Sequence, residues 1–260
     1  MKKEVLFLIC AFLFMSLTAI PGVQAVDGEK ERVLIMEKKA DVTGDGKEDT
    51  IYLIGTEYQE NSLHFKDISL EIEETNGIKH RIEFDGGFEP NIALRDFNQD
   101  GVKDLFVTVE TGGSGGISNH YLYTLKGATV TDLKTPEPLI IQGQLLNKYK
   151  AKITIENNHK THKFNLKRRA NEYEQTGLYH KGKLNEPTEL MIGGYDLLKP
   201  IILKEGKMGL RGTQTISGAY HADVIGRVQS TWIYKDGAWV LLGTKVFEMD
   251  DERGQKAKDK

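Results

Sequence analysis

Two stretches of the chain repeat one spaced set of oxygen-bearing side chains, Asp41-Val-Thr-Gly-Asp-Gly-Lys-Glu-Asp49 and Asp96-Phe-Asn-Gln-Asp-Gly-Val-Lys-Asp104. Each places oxygens at positions 1, 3, 5 and 9 and glycine at position 6. A hard cation such as calcium takes six to eight oxygens at roughly 2.3–2.6 Å, and alternate residues of a tight loop can turn theirs inward. Gly46 and Gly101 permit the sharp turn, because glycine tolerates positive φ. Position 7, Lys47 or Val102, would give its main-chain carbonyl, so its side chain is unconstrained. A plain Asp/Gly turn needs one carboxylate, not three packed together where they repel. The recurrence after 55 residues argues against accident.

The helix–loop–helix calcium hand requires glutamate at position 12. Tyr52 and Val107 stand there instead. The flanks Val33–Met36, Ile51–Ile54, Ile92–Leu94 and Leu105–Val109 are short, β-branched or aromatic runs, which predict strands. Each loop is therefore expected to join two strands.

A D-x-[DNT]-x-D-G-x-x-D loop between strands resembles the FG-GAP/VCBS repeat family, known for the cation-binding blades of integrin α-chain propellers. The likeness covers about residues 33–135. It implies two calcium sites, with Asp41, Thr43, Asp45 and Asp49 as side-chain ligands in the first and Asp96, Asn98, Asp100 and Asp104 in the second. Thr43 departs from the usual Asp or Asn, and a hydroxyl is a poorer calcium ligand, so the first site is expected to be the weaker. The family's complete propellers are far longer than this chain.

Each unit reads strand, cation loop, strand, long loop, strand, turn, strand, the pattern of a propeller blade. The expectation is an all-β fold of propeller-like blades, or a partial propeller, with calcium-binding inter-strand loops. Beyond Pro138 the loops stop but alternation continues at 151–156 and 161–166. Hairpins are predicted around Glu205-Gly206 and Asp236-Gly237. Helix is confined to a turn or two at 167–175 and 186–190. This divides the chain into residues 26–140, with the repeats, and 141–260, read as degenerate blades or a separate small β domain with a charged tail.

Residues 1–25 read as a secretory leader: Lys2-Lys3, an apolar run from Val5 to about Ile20, then Val23-Gln-Ala25. The run is shorter than the roughly 20 residues of a membrane span. Cleavage would remove Cys10, the one cysteine, and leave an exported chain without disulfides, in which metal could take over the stapling. Charge is uneven. Residues 26–140 carry 12 basic and 23 acidic side chains, net −11, whereas 141–260 carry 21 and 14, net +7. The basic half, with Lys148, Lys150, Lys152, Lys163, Lys167, Arg168 and Arg169 near Tyr149 and Phe164, could face an anionic cell-wall polymer. Nucleic acid is a weaker candidate and a solvated face the plainest reading.

Catalytic signals are poor. Gly112–Gly116 lacks the Gly-Lys-[Ser/Thr] ending of a phosphate loop. His159 and His162 lack further zinc ligands. Ser114, Ser118 and His120 have no nucleophile-elbow context. The reading is a secreted or envelope-associated calcium-binding β protein with a binding or structural role and no catalytic machinery of its own. Its rival is an extracellular hydrolase of wall glycan or phosphoester, in which calcium supports the scaffold.

Overall fold

A computed structural model describes residues 32–113 and 117–249. The leader at 1–25, Ser114 and the tail from 254 lie outside the described residues. The first half is an antiparallel meander in one curled half-barrel sheet: β1 Arg32–Ala40, β2 Asp49–Glu57, β3 His64–Glu73, β4 Lys79–Arg95, β5 Asp104–Glu110, β6 Ser118–Thr124 and β7 Thr131–Asp132. Alternation sets the inner face, where Ile51, Leu53, Ile68, Leu70, Ile72, Leu105 and Val107 form one core.

Two separate four-stranded blades are not what these strands make. The fourth strand of the first unit and the first strand of the second are one 17-residue strand, β4. It changes partner midway: Lys79 to Phe88 pair with β3, and Asn91 to Arg95 pair with β5. Gly86 and Gly87 make the exchange possible. A Cβ on Gly86 would stand 2.3 Å from the Lys66 carbonyl oxygen of β3, and one on Gly87 2.4 Å from the Glu110 carbonyl oxygen of β5. Two backbones thus close on this point from either side, and only glycine fits.

The second half has sheets of its own. β8 Ile141–Leu146, β9 Lys150–Ile155 and β10 Lys160–Asn165 form a three-stranded meander. A short turn at 167–169 leads into α1, Ala170–Gln175, and the small hairpin of β11 Tyr179–His180 and β12 Lys183–Leu184. β13 Met191–Ile192 and β14 Leu197–Ile202 both pair with β15 Met208–Ser217, which pairs with β16 Val224–Lys235 and then β17 Ala238–Glu248. Both predicted hairpins are present. The second predicted helix is not: Glu189 instead bridges to Gln144 as extended chain.

β5 and β6 join the halves. Phe106 and Leu122 leave the opposite face of the first sheet, and with Phe97 of the second loop they enter the core built by β8–β10 and β13–β17. That two-sided burial explains the unbroken apolar run Leu105–Val107.

Candidate metal-binding loops

Each loop connects two antiparallel strands, β1 to β2 and β4 to β5. Their internal hydrogen bonding is nearly the same. At position 1, Asp41 accepts from the Gly44 and Gly46 N–H groups at 2.6 and 2.9 Å, and Asp96 from Asp100 and Gly101 at 3.1 and 3.0 Å. At position 5, Asp45 accepts from Lys47 N–H at 2.8 Å and Asp100 from Val102 N–H at 2.9 Å. At position 9, Asp49 Oδ2 accepts from Val42 and Thr43 N–H at 3.0 and 3.1 Å, and Asp104 Oδ2 from Phe97 and Asn98 N–H at 2.7 and 3.3 Å.

The position-9 carboxylates are the unusual groups. Asp49 and Asp104 are fully buried at the start of β2 and β5. Among the described residues, their Oδ1 atoms are the two buried side-chain oxygens or nitrogens without a hydrogen-bond partner. Burial pushes the Asp104 carboxyl up to about 6, opposed by the Phe97 and Asn98 N–H groups on Oδ2 and by the nearby Thr124 hydroxyl, which makes no hydrogen bond to Oδ1. A buried polar group left unpaired calls for an explanation, and a bound ion is one of the recognised ones.

Position 3 distinguishes the loops. Thr43 turns its hydroxyl to Asp49 Oδ2 at 3.2 Å. Asn98 donates its amide to Asp100 Oδ2 at 2.9 Å and accepts the Asp100 N–H at 3.1 Å. Gly46 and Gly101 have φ of 84° and 88°, as the turn requires. Position 4 is left-handed as well, Gly44 at 78° and Gln99 at 62°, a need that the spacing of ligands does not reveal.

The loops also touch each other. A Cβ on Gly44 would lie 2.8 Å from Val102 Cγ2. The turn between β6 and β7 clasps both: Gly127 N–H donates to the Thr43 carbonyl at 2.8 Å, and Lys126 Nζ donates to the Asp100 carbonyl at 2.7 Å. Among the described residues no three His, Cys, Asp or Glu side chains converge as a ready metal cluster. The three aspartates of each loop are instead turned onto loop N–H groups, positions 1, 5 and 9 alike. The donor set still fits a hard cation, all oxygen and with one orphan carboxylate oxygen per loop.

The other candidates separate. His120 is half-buried against the second half, where its Nε2 accepts the Leu198 N–H at 3.3 Å, and the loss of hydration there lowers its pKa to about 4. It serves packing. His162 pairs with Glu248 at 3.0 Å, and His159 is a left-handed turn residue. The aromatic-basic patch is not assembled: Phe164 is buried in the core, Tyr149 donates to Glu174 at 2.6 Å, and Arg169 is turned inward onto Asp223. Outside the loops, Asp67 and Glu83 share a cleft of about 200 Å³, but Arg32 and Arg81 line it too and Arg81 pairs with Glu83 at 3.1 Å. That is an ion-pair network rather than an isolated acid and base.

Residues 139–247 match the model of a family described as the YybI C-terminal domain. A protein of Bacillus subtilis (strain 168), described as uncharacterized protein YybI, is 29% identical over 210 residues, which cover 76% of this chain and 79% of that one. That coverage exceeds residues 139–260, so the likeness reaches beyond the second half. No solved structure matches.

Proposed function

We propose that this is an exported, calcium-stabilised β protein with a binding or structural role outside the cell. The observation that carries the reading is the pair of orphan oxygens, Asp49 Oδ1 and Asp104 Oδ1. A buried carboxylate oxygen with nothing to accept from forfeits its hydration, and a divalent cation in the loop offsets that loss. The first site would use Asp41, Thr43, Asp45, Asp49 and the Lys47 carbonyl. The second would use Asp96, Asn98, Asp100, Asp104 and the Val102 carbonyl. The FG-GAP/VCBS likeness of both loops supports the same assignment. So does the four-strand grouping on either side of the partner exchange in β4, a fused relative of the blade pattern. Export rests on the leader-like residues 1–25, and an anionic wall polymer or a protein is the partner class that suits that location.

At a free calcium near 1 mM and a dissociation constant of about 10⁻⁴ M, each site contributes roughly 1.4 kcal/mol. Calcium is expected to raise the melting temperature and a chelator to lower it, and superimposable melting curves would remove the stabilising role. In calorimetric titrations Asp100→Ala should weaken calcium binding and Lys47→Ala should not, because position 7 acts through its carbonyl. Equal affinities of the two variants would contradict the ligand assignment.

A further inference from the structure

The partner exchange in β4 has left a slot. Among the described residues β1 pairs only with β2, and β4 from Asn91 to Arg95 only with β5, so each has one edge that no described strand occupies. The curl of the sheet brings these edges face to face without pairing them. Lys38 spans the gap, its Nζ donating to the Ile92 carbonyl at 2.6 Å, and Arg95 Nη1 donates to the Leu94 carbonyl at 2.7 Å. In an antiparallel strand the N–H and C=O of one residue point to the same side. The Ile92 and Leu94 N–H groups therefore also point into the slot, away from β5.

The slot holds about 470 Å³ and its lining includes Lys38, Lys39, Asn91, Arg95 and Lys103. Four of its side chains are cationic and none is acidic, although this half of the chain has 12 basic side chains against 23 acidic. Among the described residues none of the four takes part in an ion pair. Lys39 and Lys103 are exposed. Gathered like charges repel, and a cleft of one sign attracts the opposite one. A carboxylate, with two oxygens and a single charge, would leave most of these donors unmet. A phosphate group brings more oxygens and more charge, and it suits a mixture of lysine, arginine and backbone N–H donors.

We propose that the slot between β1 and the second half of β4 binds a phosphate group, with Lys39 and Lys103 as the free cations and Lys38 and Arg95 holding the two edges in place. The site flanks both loops, with Lys39 two residues from Asp41, Arg95 next to Asp96 and Lys103 next to Asp104, but its phosphate binding does not require calcium to be bound. It lies in the acidic half, away from the lysines of β9 and β10 that composition alone would favour.

The test is a calorimetric titration of the protein with inorganic phosphate and with a short poly(glycerol phosphate), at a calcium concentration low enough to keep phosphate dissolved. Both probes are expected to bind, and Lys39→Gln/Lys103→Gln to weaken binding about tenfold. The control Lys150→Gln/Lys163→Gln, on exposed positions of β9 and β10, should bind as the wild type does. A polymer that binds more tightly per phosphate than the free ion marks the linked group as the ligand, and equal affinities mark the free ion. Failure of both probes to bind, or equal losses in the two variants, overturns the site. So does a Lys39→Gln/Lys103→Gln variant that alters calcium affinity but not phosphate binding, since its lysines would then only screen the adjacent loops. Unchanged melting of both variants confirms that the losses are not unfolding.

Discussion

Buried carboxylates are treated in two ways in this molecule. In the second half Asp223 is buried, yet both its oxygens are partnered: Arg169 meets Oδ1, while Tyr173 OH donates to Oδ2 at 2.8 Å and Ala219 N–H at 3.3 Å. Arg169 also donates to the Val224 carbonyl at 2.6 Å. In the loops Asp49 and Asp104 are as deeply buried, but each keeps one oxygen with no donor. The difference separates a carboxylate balanced within the chain from two that the proposed calcium sites would balance with a cation. The strongest way to break the contrast is Asp223→Ala. Removing one member of a buried pair strands the other, which costs about 3–5 kcal/mol. In denaturant unfolding that loss should be the same with calcium as with chelator. A loss that calcium reverses would place Asp223 with the loops.

His120 adds a third treatment, a half-buried group kept neutral. Its folded pKa is lowered to about 4 because burial disfavours the imidazolium, whereas an unfolded histidine titrates near 6.5. The unfolded chain therefore binds the proton first. The stability this group contributes is present above about pH 6.5 and drains away as pH falls toward 4, on the order of 3 kcal/mol across that window. His120 accepts from Leu198 of β14 and lies over Phe106, so the loss falls on the seam between the halves. Chemical unfolding at pH 7.5 and pH 4.5 should show a steeper decline for the wild type than for His120→Gln. Parallel declines would show that the ring is protonated in the folded state without penalty.

The loops were legible in the sequence because their determinants are local. Oxygen spacing and glycine at position 6 fall within nine residues with strand-like flanks beside them, and the structure repeats nearly the same N–H contacts in both. The all-β class and the hairpins at 205–206 and 236–237 followed from alternation and turn residues for the same reason. The fusion of the two units was not legible. It depends on Gly86 and Gly87 meeting the backbones of Lys66 and Glu110, which are distant in sequence. The slot was hidden likewise, since Lys38, Lys39, Arg95 and Lys103 come together only when β1 curls toward β4. The aromatic-basic patch misled in the other direction. Lysines and aromatics adjacent along the chain diverge on a strand, where Phe164 points into the core while Lys163 points out.

The finest test lies between the loops themselves. They share backbone geometry at positions 1, 5 and 9, so position 3 carries the main ligand difference. Both position-3 side chains are engaged within their loops, Thr43 donating to Asp49 Oδ2 and Asn98 accepting from Asp100 N–H, but Asn98 presents a carbonyl-type oxygen, the better ligand for a hard cation. Thr43→Asn is expected to tighten the first site by a few tenths of a kcal/mol to about 1 kcal/mol, within the range of a single neutral hydrogen-bonding oxygen, and to draw the two affinities together. Asn98→Thr should weaken the second site by a similar amount and likewise draw the two affinities together, because that site would then resemble the first. Calorimetric titration of both variants resolves the difference, since two unequal sites give a biphasic isotherm and matched sites a single phase. An unchanged isotherm in both variants would mean that position 3 does not touch the ion. The loop would then hold its cation through the carboxylates and the position-7 carbonyl, with Thr43 serving only to brace Asp49.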